Sequence, residues 1–191
     1  MHNINVTEGY TQLNDAQCNE IKNLLNGDMK LIMEIGFNAG HSAEIFLQNS
    51  NAYVYSFDIG THFSQYLKYG KMYINNIYPD RHTLVFGDSK EAIPRFAKNN
   101  SDKKFDLIFI DGGHDYETAL DDLLNCKNLA HENTILIMDD IIQHNANLVT
   151  GWTEGPTKAW NLCKKNNYIV EIAEFEWTQG RGMTVGKYIF N

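Results

Sequence analysis

The chain has 191 residues, 43% of them hydrophobic and 21% charged, a globular composition long enough for one domain with a sizeable core. Its formal net charge is −8 and no Lys/Arg run interrupts that balance, so a nucleic-acid partner is not expected. The opening "MHNINVTEGY" has neither a basic nor an apolar signal region, and no apolar stretch approaches the length of a membrane span.

Strand-length apolar runs recur along the chain at 30–35, 52–58, 82–87, 104–111 and 134–140. Each is almost continuously apolar, as parallel strands buried on both faces are. Helical patterns separate them at 42–49, 63–76, 89–98 and 116–130, the last with Asp115 as N-cap and Glu117 in its first turn. This alternation predicts a doubly wound α/β sheet. Two further strand patterns, 167–177 and 182–190, are joined by a connection too short for a parallel crossover, so they form an antiparallel hairpin. No repeat or linker divides the chain, and one domain over 1–191 is expected, with 1–13 as a loose N-terminal arm. The three cysteines, Cys18, Cys126 and Cys163, form neither a zinc pattern nor a disulfide framework. They suit a reducing compartment, and the cytoplasm is the expected location.

The first strand runs into "EIGFNAGHS" at 34–42. Open α/β sheets bind ligands outside the carboxyl ends of their strands, and this is such an end. Gly36 can turn tightly, Gly40 allows close approach, and Asn38 tolerates left-handed backbone. The next strand ends in Asp58, placed to accept the two hydroxyls of a ribose. The glycine spacing is not the G-x-G-x-x-G of dinucleotide binders. A glycine turn closing a βα unit without any ligand is the plainer alternative.

E-x-G-x-x-x-G, an acid ending the second strand, "GDS" at 87–89 and "FDLIFIDGGHDYE" at 105–117 together resemble the class I S-adenosylmethionine (SAM)-dependent methyltransferases. The resemblance runs from about residue 31 to 190 and includes a seven-stranded Rossmann-like sheet closed by a reversed last strand. Within the class the chain is most similar to the small metal-dependent O-methyltransferases of the catechol and macrolide-sugar type. The resemblance implies that Glu34, Gly36, Asn38 and Gly40, with Ser42 nearby, shape the methionine pocket. It implies Asp58 on the ribose, Asp88 and Ser89 beside the adenine, and Asp111 against the cofactor. Asn38 stands where the family places a small residue.

"FIDGGHDY" and "LIMDDI" end two strands expected to be neighbours, so Asp111, Asp139 and Asp140 should converge. Three carboxylates without a cation among them repel one another, and all-oxygen ligation suits a hard ion such as Mg²⁺. The resemblance implies the same three positions as metal ligands, with Asp140 where the family has Asn. The alternative is that Asp139 and Asp140 only cap the following segment and Asp111 orients the cofactor. His114 falls where the catechol-type enzymes carry a general-base lysine, and histidine titrates near neutrality. His41 and His144 are further candidates, and a surface histidine is the bland reading of His114. Phe63, Tyr66, Tyr69, Tyr73 and Tyr78 suggest either a helix packed on the sheet or a pocket wall. Trp152 and Trp160 follow the acidic strand, with Pro156 in a first helical turn.

The expectation is a SAM-dependent methyltransferase acting on a small-molecule hydroxyl acceptor with a divalent cation, Mg²⁺ first. Nucleic acid and membrane are not expected as partners, and a homo-oligomer is compatible with the chain. The rivals are a nicotinamide-dependent oxidoreductase and a catalytically silent cofactor-binding subunit.

Overall fold

In the computed structural model, described here for residues 14–61, 64–177 and 180–190, seven strands form one sheet of order β3-β2-β1-β4-β5-β7-β6. The strands are β1 (Leu31–Ile35), β2 (Tyr53–Asp58), β3 (His82–Phe86), β4 (Phe105–Ile110), β5 (Ala130–Asp139), β6 (Ile169–Trp177) and β7 (Arg181–Tyr188). The first five are parallel, and β7 enters antiparallel between β5 and β6. The doubly wound sheet and its reversed end are as the sequence pattern predicts. Residues 1–13 and Phe63 lie outside the described residues.

Six helices cover the two faces: α1 (Asp15–Leu24), α2 (His41–Asn49), α3 (Ser64–Ile77), α4 (Ser89–Asn99), α5 (Tyr116–Cys126) and α6 (Gly151–Lys165). The sheet's inner strands are apolar on both faces because each face meets helices. On one face Cys18 and Ile21 of α1, Phe46 of α2 and Ile74 of α3 pack on Ile32, Val54, Phe109 and Ile137. On the other, Ile93 of α4, Leu123 of α5 and Trp160 of α6 pack on Met33, Ile108, Leu136 and Met138.

Four helices differ from expectation. α1 is a helix where the sequence pattern left an unassigned segment: its buried side chains are only Gln17, Cys18 and Ile21, too few apolar positions for a clear period. The 116–130 pattern stops being α-helical at Cys126, continues as a 3₁₀ turn over Lys127–Leu129, and hands Ala130 to β5. Pro156 lies inside α6 rather than in its first turn. The aromatic pattern of α3 does not face the sheet: Leu67, Gly70 and Ile74 are buried, while Tyr69 and Tyr73 are exposed. Among the described residues no helix is long and apolar enough to cross a membrane.

Arg81 ties the α2–β2 connection together. Its guanidinium donates to the carbonyls of Leu47 (3.1 Å) and Ser50 (2.8 Å), which the end of α2 leaves without helical partners, and to that of Ala52 (2.8 Å) just before β2. Arg81→Ala should therefore lower stability by about 2 kcal/mol, the scale of charged hydrogen bonds lost from carbonyls. Urea denaturation showing an unchanged midpoint would contradict this role.

Candidate functional site

The carboxyl ends of β1, β2, β4 and β5 meet at one edge of the sheet, and the turn from β1 into α2 is its floor. Gly36 has φ +92°, and a Cβ there would stand 1.9 Å from the Asp111 carbonyl oxygen. The turn therefore lies directly on the end of β4, and only glycine permits it. The Asp111 N–H donates to the Ile35 carbonyl at 2.9 Å, locking the two strand ends together. Asn38 takes φ +45° and Gly40 φ +84°, so the residue that departs from the family pattern is one that accepts left-handed backbone.

Asp58 holds this turn from the side. Its Oδ2 accepts the N–H groups of Phe37 (3.0 Å) and Asn38 (2.9 Å), and its Oδ1 accepts the Gly60 N–H (2.8 Å). A carboxylate oxygen accepts about two hydrogen bonds, so Oδ1 retains capacity for a ligand hydroxyl.

Glu34 lies beneath the turn, fully buried. Its Oε2 accepts from the Ser42 hydroxyl (2.6 Å) and its Oε1 from the Ser56 hydroxyl (2.5 Å). Burial pushes its carboxyl up to about 7, against the pull of those two hydroxyls. With the Ser56 proton directed at Glu34, Ser56 Oγ receives the His82 Nε2–H at 2.8 Å. His82 Nδ1, the nitrogen then without a proton, has no partner. Burial holds this ring down at about 4, helped by Lys71, so it is neutral, and it stacks on Phe37 of the turn at 5.1 Å. Glu34 and Ser42 are thus tied to each other beside the turn.

Asp88 caps α4, its Oδ1 accepting the Lys90 N–H at 3.0 Å, and Ser89 opens that helix. The Ser89 hydroxyl faces Asp122 of α5, a fully buried carboxyl that burial pushes up to about 7.

The acidic residues meet where β4 and β5 end side by side, with Ile110 paired to Met138. One ligand atom each of Asp111, His114 and Asp140 lie within 4.8 Å of one another. His114 Nε2 stands 3.0 Å from Asp140 Oδ2. Asp140 has φ +58°, a strained conformation that Asp tolerates better than most residues. Asp139 is engaged differently: its Oδ1 accepts the Asp140 N–H (2.9 Å) and its Oδ2 the Gln17 Nε2–H (2.7 Å). Burial, then Asp139 and Asp140, raise Asp111 well above the usual carboxylate range. Burial and Asp140 push Asp139 up to about 7. The cluster is not without a cation, as the sequence suggested, because Arg181 of β7 lowers both.

α6 supports this corner from below. A Cβ on Gly155 would stand 2.2 Å from the His114 carbonyl oxygen, so the helix runs against the loop that carries the histidine. Asp115 caps α5 through the Thr118 N–H at 2.9 Å. His144 is turned elsewhere, 2.9 Å from Glu174 on β6, and His41 opens α2. Trp152 is exposed, and Trp160 is buried with its Nε1 donating to Glu171 (2.5 Å). Neither tryptophan joins the acidic cluster. Gln17, Ser56, His82, Asp122 and Arg181 are the participants that sequence reasoning missed. Their roles depend on long-range contacts that leave no local pattern.

A family model described as a methyltransferase domain matches residues 33–141. The chain belongs to this methyltransferase family. Its seven-stranded, Rossmann-like architecture is that of the class I SAM-dependent methyltransferases. A Bacillus cereus O-methyltransferase solved in complex with SAH is 16% identical, with 90% of this chain and 78% of that one covered at a TM-score of 0.68. A Podospora anserina methyltransferase with bound SAH is 15% identical, with 91% and 76% covered and a TM-score of 0.68. The TDP-rhamnose 3′-O-methyltransferase of calicheamicin biosynthesis is 17% identical, with 88% and 76% covered and a TM-score of 0.65. No curated protein matches the chain.

The raised carboxyls make stability depend on pH with a definite sign. Glu34, Asp122 and Asp139, each at about 7, bind protons in the folded state that the unfolded chain has already released. Their contribution to stability is therefore fully present below the unfolded values of 3.8–4.5 and is lost as pH rises through about 7. In chelator, the melting temperature should drop between pH 5 and pH 8, by about the same series of steps. Glu34→Gln should flatten that slope; a slope identical to wild type would remove Glu34 from the account.

Proposed function

We propose that this methyltransferase moves the methyl group of SAM to a hydroxyl oxygen of a small molecule. The reading rests on one observation: the His114–Asp140 pair at 3.0 Å, beside Asp111, at the strand edge that the Gly36 turn lines. The cofactor's methionine end fits over the turn 36–40, and its ribose against the open capacity of Asp58 Oδ1. The adenine fits beside Asp88 and Ser89. The similar folds solved with SAH support this choice of cofactor.

His114 takes the acceptor's proton. Asp140 fixes the imidazole and stabilises the imidazolium that forms, the part an aspartate plays in catalytic dyads and triads. The rigid edge of β4 and β5 then holds the acceptor oxygen in line with the methyl group, and such positioning removes much of the barrier.

The donor set also fits a divalent cation. Carboxylates this close, two of them raised by burial and mutual repulsion, are relieved by a hard ion. Asp111 and Asp140, whose ligand atoms lie with His114 within 4.8 Å of one another, would hold it; Asp139, taken by the Asp140 N–H and by Gln17, lies outside this group, unlike the expectation from sequence. When bound, such an ion lowers the pKa of an acceptor hydroxyl. The partner is then a small hydroxyl compound rather than nucleic acid or membrane.

Two measurements test the reading. In calorimetry the protein should bind SAH, and Asp58→Ala should weaken that binding by about 1.5–3 kcal/mol, because the turn loses its anchor and the ribose its acceptor. Unchanged affinity would take Asp58 out of the site. On a panel of phenolic and sugar hydroxyl acceptors with labelled SAM, His114→Ala should reduce kcat by about 10²–10⁴. Chelator should abolish turnover while leaving SAH binding intact. Full turnover in chelator would leave a metal-independent enzyme that relies on the His114–Asp140 pair.

A further inference from the structure

Gln17 is a buried polar side chain with no part in the proposed reaction. It sits on α1, before the residues that the family model covers, and is fully buried. Its Nε2 donates to Asp139 Oδ2 at 2.7 Å, across 122 positions of sequence. It is the amide nitrogen that faces Asp139. The amide oxygen, Oε1, is buried and has no hydrogen-bond partner among the described residues.

That combination is not what helix anchoring needs. α1 is already fastened to the sheet by Cys18 and Ile21, which lie in the core among Phe46, Phe109 and Ile137. An apolar side chain at position 17 would extend this contact without leaving an orphaned oxygen. Native interiors rarely keep unpaired polar atoms, and those they keep mark places where something besides packing is at stake. The partner is no ordinary carboxylate either. Asp139 adjoins Asp140 in sequence and Asp111 across the strand pair, and its free rotation would let it swing away from both. The Asp140 N–H holds one of its oxygens and Gln17 holds the other, so its plane is set from two sides.

We propose that Gln17 is a positioning residue of the site: its amide fixes the Asp139 carboxylate, which takes the Asp140 N–H and so holds Asp140 beside Asp111 and His114 as a preformed seat for a divalent cation. α1 is on this account a wall of the active site and not only a helix packed on the sheet. The inference rests on the metal-bound reading given under the proposed function.

The experiment uses the full chain and Mn²⁺ as probe, followed by electron paramagnetic resonance, with SAH affinity from calorimetry and melting temperature measured in parallel. Gln17→Met keeps the length and bulk of the side chain but removes the amide. It should weaken Mn²⁺ binding by about tenfold or more, as losses of groups that orient metal ligands do, while SAH affinity stays within about twofold. Ile21→Ala serves as the control: it loosens α1 through packing alone and should lower the melting temperature with Mn²⁺ affinity kept. Equal Mn²⁺ affinity in wild type and Gln17→Met overturns the proposal, as does an Ile21→Ala variant that loses Mn²⁺ to the same degree. If wild type itself binds no Mn²⁺, the metal-bound reading fails, and this inference with it. If wild type binds and only the variants disagree, the failure belongs to Gln17 alone.

Discussion

Mutual repulsion among carboxylates at one edge of the sheet is the constraint on which the rest of the structure depends. Asp111, Asp139 and Asp140 stand at the ends of β4 and β5, with Glu34 one strand away beneath the turn. Taking a charged carboxylate out of water is costly unless it is paired or protonated. Three of these four groups are met by a specific polar partner: Glu34 by two serine hydroxyls, Asp139 by an amide and a backbone N–H, Asp140 by His114. Arg181 adds a positive charge within electrostatic reach of Asp111 and Asp139. A protein that needed only a stable sheet would end these strands in apolar or neutral residues. Acidic strand ends make sense where a proton or a cation has to be handled.

The same edge joins the cofactor side of the site to the acidic side. Gly36 has no side chain and rests on the Asp111 carbonyl, so the turn and the end of β4 move as one body. Asp58 pins the turn laterally through two adjacent N–H groups, and His82 braces it through Phe37. On the opposite face, Gly155 brings α6 against the carbonyl of His114. Two glycines without room for a methyl group thus fix the turn after β1 and the loop carrying His114 against their neighbours. Transfer chemistry that relies on near-attack geometry gains from such rigidity more than from any single strong contact.

The fold was legible in the chain because its parallel strands are buried on both sides. Runs such as "KLIMEI" and "FDLIFID" carry their own signature, and the short link between the last two runs permits only a reversed pair. The acids that end the strands were equally visible, since position at a strand end is local information. α1 was not visible, because it buries two apolar residues and a glutamine, which is no period at all. The α3 aromatics misled in the other direction: their helical spacing is real, but small and aliphatic residues took the buried face and left Tyr69 and Tyr73 outside.

By itself the sequence determined the doubly wound sheet, the glycine turn after β1, and the acidic residues gathered at the carboxyl edge. These follow from hydrophobic period, backbone freedom and strand length, all of them properties of neighbours in the chain. Only the tertiary structure decided what each acid does there. Asp58 turned to the backbone of the turn, Glu34 went under it, Asp139 was claimed by Gln17, and Asp140 was left to pair with His114. Each of those choices depends on a hydrogen-bond donor brought in by another element, in the case of Gln17 from 122 residues away. A carboxylate's role is set by whichever donor reaches it first in space, and distance along the chain carries no record of that.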